Sequence, residues 1–373
     1  MSCDFIALAN AGVQALQPYQ PGKPIEELER ELGLKNVVKL ASNENPLGAS
    51  EMAVEACRKA AEGMYLYPDS SGFELKSKLS QRLEVSPKQI TLGNGSNDIL
   101  DLIARVFLEP GKSAVFSQHA FVVYPIAVQA CGARAIVTPA KNWGHDLDLM
   151  AAAIEDDTKV VFIANPNNPT GTWLKKAELE AFLAKVPEHV IVVLDEAYVE
   201  YVDEPDYPNG LDYLAGYPNV IVTRTFSKAY GLAGLRVGYA ISSPEICDLL
   251  NRVRAPFNVS TQALAAAVAV LDDAEYLRKS REVNAAGLKQ LAAGFDRLGL
   301  EWIPSVGNFI AFRTSKDGVS VNAAQVYQGL LHKGVIVRPV GVYAMPDFLR
   351  VSVGLESENA RFLDVLPNVL DAL

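Results

Sequence analysis

Cysteine and histidine are scarce in this chain of 373 residues, with four of each. Cys3, Cys57, Cys131 and Cys247 are scattered, with neither paired nor metal-ligand spacing and no histidine nearby. The pattern excludes a disulfide framework and a zinc motif, so reduced thiols, a cytoplasmic setting and no metal are expected. Positive charge is also in deficit: 34 Lys and Arg stand against 44 Asp and Glu, for a net charge of −10 and a pI near 5.1. A nucleic-acid backbone requires a basic face, so nucleic acid is excluded as a partner and anionic substrates must be drawn by local arginines. Long apolar runs are missing as well. The longest, residues 263–271, has nine residues; it is too short to span a membrane and reads as a buried helix. Met-Ser-Cys-Asp opens the chain with no basic stretch ahead of an apolar one, so no secretory signal is expected.

What is present is enough apolar material, 49 % of residues, for one large core and a second smaller one. Short β-rich runs at 90–92, 113–116, 135–138, 160–164, 190–194, 220–223 and 237–241 alternate with helix-length spacers. Such alternation predicts an α/β fold, a mostly parallel seven-stranded sheet with helices on both faces. After Pro256 the pattern turns helical, and the charged stretch 274–298 is long enough to bridge two domains. Strand-like runs at 309–313, 335–338 and 349–353, with a helix over 322–333, then predict a smaller α+β domain.

The chemistry concentrates in a few segments. Lys228 sits in Thr-Phe-Ser-Lys-Ala-Tyr-Gly-Leu-Ala-Gly-Leu-Arg-Val-Gly-Tyr (225–239). An amine with Thr225, Ser227 and Arg236 around it suits an aldehyde cofactor carrying a phosphate, because nearby cations and burial keep part of the lysine neutral and nucleophilic. A surface lysine in a Gly-rich turn is the alternative. In Val190-Ile-Val-Val-Leu-Asp-Glu-Ala-Tyr198, Asp195 ends a strand, at the edge of a parallel sheet where ligands bind. A carboxylate there can keep a pyridine nitrogen protonated, as pyridoxal-phosphate chemistry requires; a helix N-cap is the plain alternative. Lys159-Val-Val-Phe-Ile-Ala-Asn-Pro-Asn-Asn-Pro-Thr-Gly171 is a strand followed by a rigid polar loop. Asn168 is the residue there to aim at the ring's phenolate oxygen, with turn chemistry as the alternative. Ile90-Thr-Leu-Gly-Asn-Gly-Ser-Asn-Asp98 followed by the apolar-periodic 99–107 reads as strand, Gly-rich turn and helix N-terminus. Free backbone N–H groups at Gly95, Ser96 and Asn97 then suit a phosphate, though a nucleotide-binding turn has the same form.

Taken in chain order, these segments resemble fold type I pyridoxal-phosphate-dependent aminotransferases over nearly the whole length. More narrowly, Leu16-Gln-Pro-Tyr-Gln-Pro-Gly-Lys-Pro24, Leu40-Ala-Ser-Asn-Glu-Asn-Pro-Leu-Gly48 and the 224–236 segment resemble the histidinol-phosphate aminotransferase family of class II. The resemblance implies that Lys228 carries the Schiff base to pyridoxal 5'-phosphate, that Asp195 pairs with the pyridine nitrogen, and that Tyr198 and Asn168 contact the 3-oxygen. It puts Phe121 where the family stacks an aromatic on the ring, often Tyr, so a hydroxyl is missing here. Tyr67 is implied to reach the phosphate of a neighbouring subunit, making a homodimer; the alternative is a surface Tyr-Pro turn. Arg350 looks like the general carboxylate binder and Arg338 the added contact for histidinol phosphate, with a rim salt bridge as the alternative for Arg338. Tyr19 and Asn43 would line the same pocket.

The implied division is an N-terminal arm (1–41) packed with the small domain, a large domain (42–285) and a small domain (286–373). The implied reaction converts L-histidinol phosphate and 2-oxoglutarate to imidazole acetol phosphate and L-glutamate, a step of histidine biosynthesis, with ping-pong kinetics. An aromatic amino acid aminotransferase of the same subfamily is the nearest rival. A pyridoxal-phosphate decarboxylase and a cofactor-binding regulator are more distant, and for the regulator the segment before Ala41 is too short and not basic enough to supply a DNA-binding module.

Overall fold

The computed structural model describes residues 3–316 and 319–373. Its centre is a sheet of seven strands: β1 (Ile90–Gly93), β2 (Ser113–Ser117), β3 (Arg134–Thr138), β4 (Thr158–Ala164), β5 (Ile191–Asp195), β6 (Val220–Thr225) and β7 (Gly238–Ile241). Their spatial order is β1-β7-β6-β5-β4-β2-β3. Only β7 runs against its neighbours β1 and β6; the other pairings are parallel. The class and strand number expected from the alternation are therefore observed.

The run Val-Val-Phe-Ile-Ala of β4 is apolar throughout because both sheet faces are covered. Val161 and Ile163 point into one core with Ala263, Ala266 and Ala267 of a helix at Thr261–Val270. Val160, Phe162 and Ala164 point to the other side, against Ile99, Ile103 and Tyr124. The apolar run 263–271 thus falls in this helix, with Leu271 as its C-cap, as its composition predicts.

A 24-residue helix, Ala274–Arg297, starts at Asp273, whose carboxylate accepts the Tyr276 N–H at 3.0 Å. Leu277 near its start packs on the large-sheet core, whereas Leu291 and Phe295 lie in a separate core with Ile310, Leu349 and Phe362. That second core covers an antiparallel sheet of β8 (Phe309–Arg313), β9 (Arg338–Pro339) and β10 (Phe348–Ser352), in the order β9-β10-β8.

One strand differs from expectation. The run 335–338 does not stay in a single sheet: Val335–Ile336 pairs in parallel with Val38–Lys39 of the N-terminal segment, while Arg338 crosses to pair with β10. The split lies between two competing partners, and Pro339, without an N–H, ends the ladder. Leu28 and Ala41 pack with Leu331 and Ile336, tying the N-terminal segment to this sheet.

Candidate active site

The carboxyl ends of β4, β5 and β6, the turn after β1 and the small sheet surround one cavity. Tyr19, Asn43, Ser96, Asn97, Phe121, Asn168, Asp195, Tyr198, Thr225, Ser227, Lys228, Arg236, Arg338 and Arg350 all line it. The crossover connections bring successive ends of the large-sheet strands to one edge, and Tyr19, Asn43, Arg338 and Arg350 reach the same cavity from the N-terminal segment and the small sheet.

Asp195, the last residue of β5, is buried and caps no helix. Its Oδ2 accepts from the Tyr124 hydroxyl at 2.8 Å and its Oδ1 from Thr223 Oγ1 at 2.9 Å. Burial pushes the carboxyl above its ordinary range, against the pull of these two hydroxyls. No cation pairs with it among the described residues, so the wall of the cavity carries a buried acceptor suited to a protonated ring nitrogen. Tyr124 is held between Phe162, stacked at 4.8 Å, and Phe121, edge-on at 5.9 Å. Burial, with Asp195 adding to it, keeps its phenol protonated and hence a donor.

Lys228 follows β6 and is partly buried. Its Nζ donates to the Ser42 carbonyl at 3.2 Å and lies 5.8 Å from the Tyr198 ring centre. Burial first, and then the Arg350 charge, push its ammonium down to about 8. A substantial neutral fraction at ordinary pH is what a lysine nucleophile and base needs. Tyr198 moves the other way, to about 12, again mainly through burial, so its hydroxyl keeps its proton.

Beyond β1 the chain turns through Gly95 into the helix Ser96–Phe107, whose first N–H groups and positive dipole end face the cavity. Gly95 has φ 81°, and a Cβ there would stand 2.5 Å from Arg236 Nη2. Arg236 itself donates to Ser227 Oγ at 3.4 Å and to the Ala233 carbonyl at 2.9 Å. A helix terminus, two hydroxyl residues and a guanidinium without an ion-pair partner among the described residues form a cradle matched to a phosphate.

At the opposite wall, β9 and β10 put Arg338 directly across from Arg350. Both are buried, at 9 % and 5 % exposure, and neither has a carboxylate partner among the described residues. Arg338 donates to the Gln20 carbonyl at 2.6 Å and lies 5.5 Å from the Tyr19 ring, so it is not a rim salt bridge. Arg350 donates to Asn168 Oδ1 and to the Ala41 carbonyl, while its Nε has no partner. Burial first, and then the Arg338 charge, lower its pKa against the opposing pull of the Tyr198 and Tyr343 phenols. With Asn168 Oδ1 taken by Arg350, the amide nitrogen is left to donate.

Gly95 does not line the cavity itself but supplies the turn beneath it, packed on Arg236. Tyr67, expected to serve a neighbouring subunit, is 82 % exposed and stacked on Phe257 at 4.7 Å. Conversely, Tyr124, Thr223 and Tyr343 belong to the site or its support and were not singled out from sequence. Tyr124 lies in the first turn of the helix Val123–Ala130 that follows Phe121, and Thr223 is the in-register partner of Asp195 on β6. The cavity therefore pairs a lone buried anion with two lone buried cations and a phosphate cradle. Pyridoxal phosphate has complementary groups: a protonatable ring nitrogen, a phosphate and an aldehyde for the lysine.

The family model for class I and II aminotransferases matches residues 35–366. The chain belongs to that family. This aminotransferase is 61 % identical over 372 residues to histidinol-phosphate aminotransferase 2 of Pseudomonas fluorescens, covering 99 % of both chains. With the enzyme of that name from Pseudomonas aeruginosa it shares 61 % over 369 residues, covering 98 % of this chain and 99 % of the other. Among solved structures, histidinol-phosphate aminotransferase from Sinorhizobium meliloti in complex with pyridoxal-5'-phosphate superposes with a TM-score of 0.89 at 32 % identity, over 97 % of each chain.

Proposed function

We propose that this aminotransferase uses pyridoxal 5'-phosphate to move the amino group of L-histidinol phosphate to 2-oxoglutarate, forming imidazole acetol phosphate and L-glutamate in histidine biosynthesis. The observation that carries the reading is the buried cross-strand pair Arg338 and Arg350. Like charges directly opposite each other on adjacent strands are destabilising, and a phosphate or carboxylate between them removes the penalty. The full-length likeness to enzymes named histidinol-phosphate aminotransferase supports the same substrate.

Bound at this site, the cofactor supplies an aldehyde that links covalently to an amine and a ring that accepts electron density from the substrate carbon. Asp195 is the residue to hold the proton on the ring nitrogen, and Tyr124 and Thr223 fix its carboxylate. Tyr198 and Asn168 would donate to the 3-oxygen, and Phe121 would pack against the ring. Ser96, Asn97, Thr225, Ser227 and Arg236, with the turn at Gly95, would hold the phosphate. Lys228 Nζ takes the proton from the substrate carbon that bears nitrogen, a role suited to an amine whose pKa is about 8. Arg350 and Arg338 orient the substrate anion, with Tyr19 and the Gln20 carbonyl alongside.

The reading includes a homodimer in which Tyr67 serves the neighbouring site. Met64, Tyr65, Leu66 and Phe73 are exposed around it, an apolar patch that a second copy would cover. Arg236 borders both the main cavity and the shallow surface cavity formed by Met64, Leu66 and Phe257, so a partner seated there approaches the phosphate end. The reading also divides the chain into an arm (1–41), a large domain (42–285) and a small domain (286–373), and sets it in the cytoplasm, in keeping with four free thiols.

Single-turnover loss of the cofactor's visible absorbance tests the substrate. Histidinol phosphate and glutamate should react fastest; phenylalanine or tyrosine outpacing histidinol phosphate would replace this reading with an aromatic amino acid aminotransferase.

A further inference from the structure

Asn43 lies where the N-terminal segment, the small sheet and the large sheet meet. It is 1 % exposed, and its backbone is in the left-handed region at φ 52°. Each of its four polar atoms has a partner. The backbone N–H donates to Ser352 Oγ at 2.8 Å, and Oδ1 accepts from that same hydroxyl at 2.8 Å. The backbone carbonyl accepts from Asn308 Nδ2 at 3.0 Å, and Nδ2 donates to Tyr198 Oη at 2.9 Å. The closed ring with Ser352 decides which way the amide points. Turned over, the amide would leave the Ser352 hydroxyl hydrogen without its acceptor, a cost in a buried place.

The consequence falls on Tyr198. Its ring stands edge-on to Phe309 at 5.2 Å, so the hydroxyl varies only by rotation about its own C–O bond. An amide nitrogen donates and does not accept, so Asn43 occupies a lone pair of Oη and leaves the phenol hydrogen unused. Tyr198 lines the cavity, and the hydrogen is free to point there. The charged and titratable groups around this phenol are Arg350, Lys228, Asp195 and Tyr343. Ser352 follows Arg350 by two residues on β10, on the same strand face. One short strand therefore carries both the anion-binding guanidinium and the lock on Asn43.

We propose that Asn43 is a positioning residue that grips Tyr198 Oη from behind, so that the phenol acts only as a donor toward the cofactor's 3-oxygen, and that Ser352 holds Asn43 in the required orientation. This rests on the pyridoxal-phosphate reading above. Beyond lining the pocket, Asn43 sets the polarity of a hydrogen bond that another residue makes.

The test uses the holoenzyme and reads the pH midpoint of the bound cofactor's visible absorbance. A donor to the 3-oxygen withdraws charge from it and eases loss of the proton it shares, so losing the donor raises the midpoint. Asn43→Asp keeps the shape but reverses the contact, since a carboxylate accepts and draws the phenol hydrogen out of the cavity. Asn43→Asp and Tyr198→Phe should each raise the midpoint by about one pH unit, a roughly tenfold change in proton affinity. In the Tyr198→Phe background, Asn43→Asp should add nothing. Ser352→Ala should give a smaller rise, also abolished in that background, and carries the test alone if Asn43→Asp does not fold. An unmoved midpoint, or a rise that persists without the Tyr198 hydroxyl and so reports charge alone, would overturn the inference. A parent enzyme that takes up no pyridoxal phosphate would overturn the cofactor reading and this inference with it.

Discussion

Replacing Arg338 with alanine separates recognition from architecture, because the two readings give opposite results. The side chain is buried, yet another buried arginine stands directly across the β9–β10 ladder. Arg338→Ala removes its hydrogen bond to the Gln20 carbonyl, worth about 1 kcal/mol. It also removes a like-charge repulsion of about 2 kcal/mol, taking the charged ends ~8 Å apart at an effective dielectric of ~20. These terms nearly cancel, so the unliganded protein should keep its stability to within about 1 to 2 kcal/mol despite losing a buried side chain. Catalysis should not be spared. Losing a charge-assisted contact to a phosphate costs ~1.5 to 3 kcal/mol, a fall in kcat/KM for histidinol phosphate of roughly tenfold to 150-fold. The glutamate half-reaction should fall less, since Arg350 still holds a carboxylate. Steady-state kinetics with both donors, together with urea denaturation, give the answer. Equal losses for the two substrates, accompanied by a large drop in stability, would show that Arg338 holds the fold together and does not read phosphate.

Lys228→Met should abolish transamination and also change how stability of the cofactor-free protein depends on pH. The folded lysine loses its proton near pH 8, the unfolded one near 10.5, so burying the ammonium costs stability below pH 8 and the cost fades as pH rises toward 10.5. The variant should therefore exceed the parent in urea resistance at pH 7 by a margin that shrinks over that window; a constant margin would show that the lysine is not held at a depressed pKa. Asp195→Asn should keep the fold but slow turnover by well over tenfold, because an amide cannot hold the ring proton. A loss smaller than about 1.4 kcal/mol in the barrier would reduce Asp195 to a structural role. Gly95→Ala forces a Cβ to 2.5 Å from Arg236 Nη2 at φ 81°, and cofactor affinity measured by fluorescence quenching should drop at least tenfold; unchanged affinity would remove Gly95 and Arg236 from the phosphate cradle.

Much of this protein was legible in the chain. β-rich runs spaced by helix-length segments predict the seven strands because backbone propensity and apolar patterning act over a few residues. The same local logic puts Asp195 at a strand end, Lys228 just past another, and Gly95 at a helix start. The lining of one cavity by residues from Tyr19 to Arg350 is in keeping with the motifs quoted from the sequence.

What tertiary structure alone decided lies in contacts between residues far apart in sequence. Local pattern contains nothing that pairs Tyr124 with Asp195 across 71 positions, or Asn43 with Tyr198 across 155. The run 335–338 looks like one strand, yet the N-terminal segment takes its first half and β10 takes Arg338. That division puts two arginines side by side with no carboxylate between them. Periodicity records which face of a strand is buried, but which side chain stands opposite depends on strand order and register, and these are set when the whole core packs.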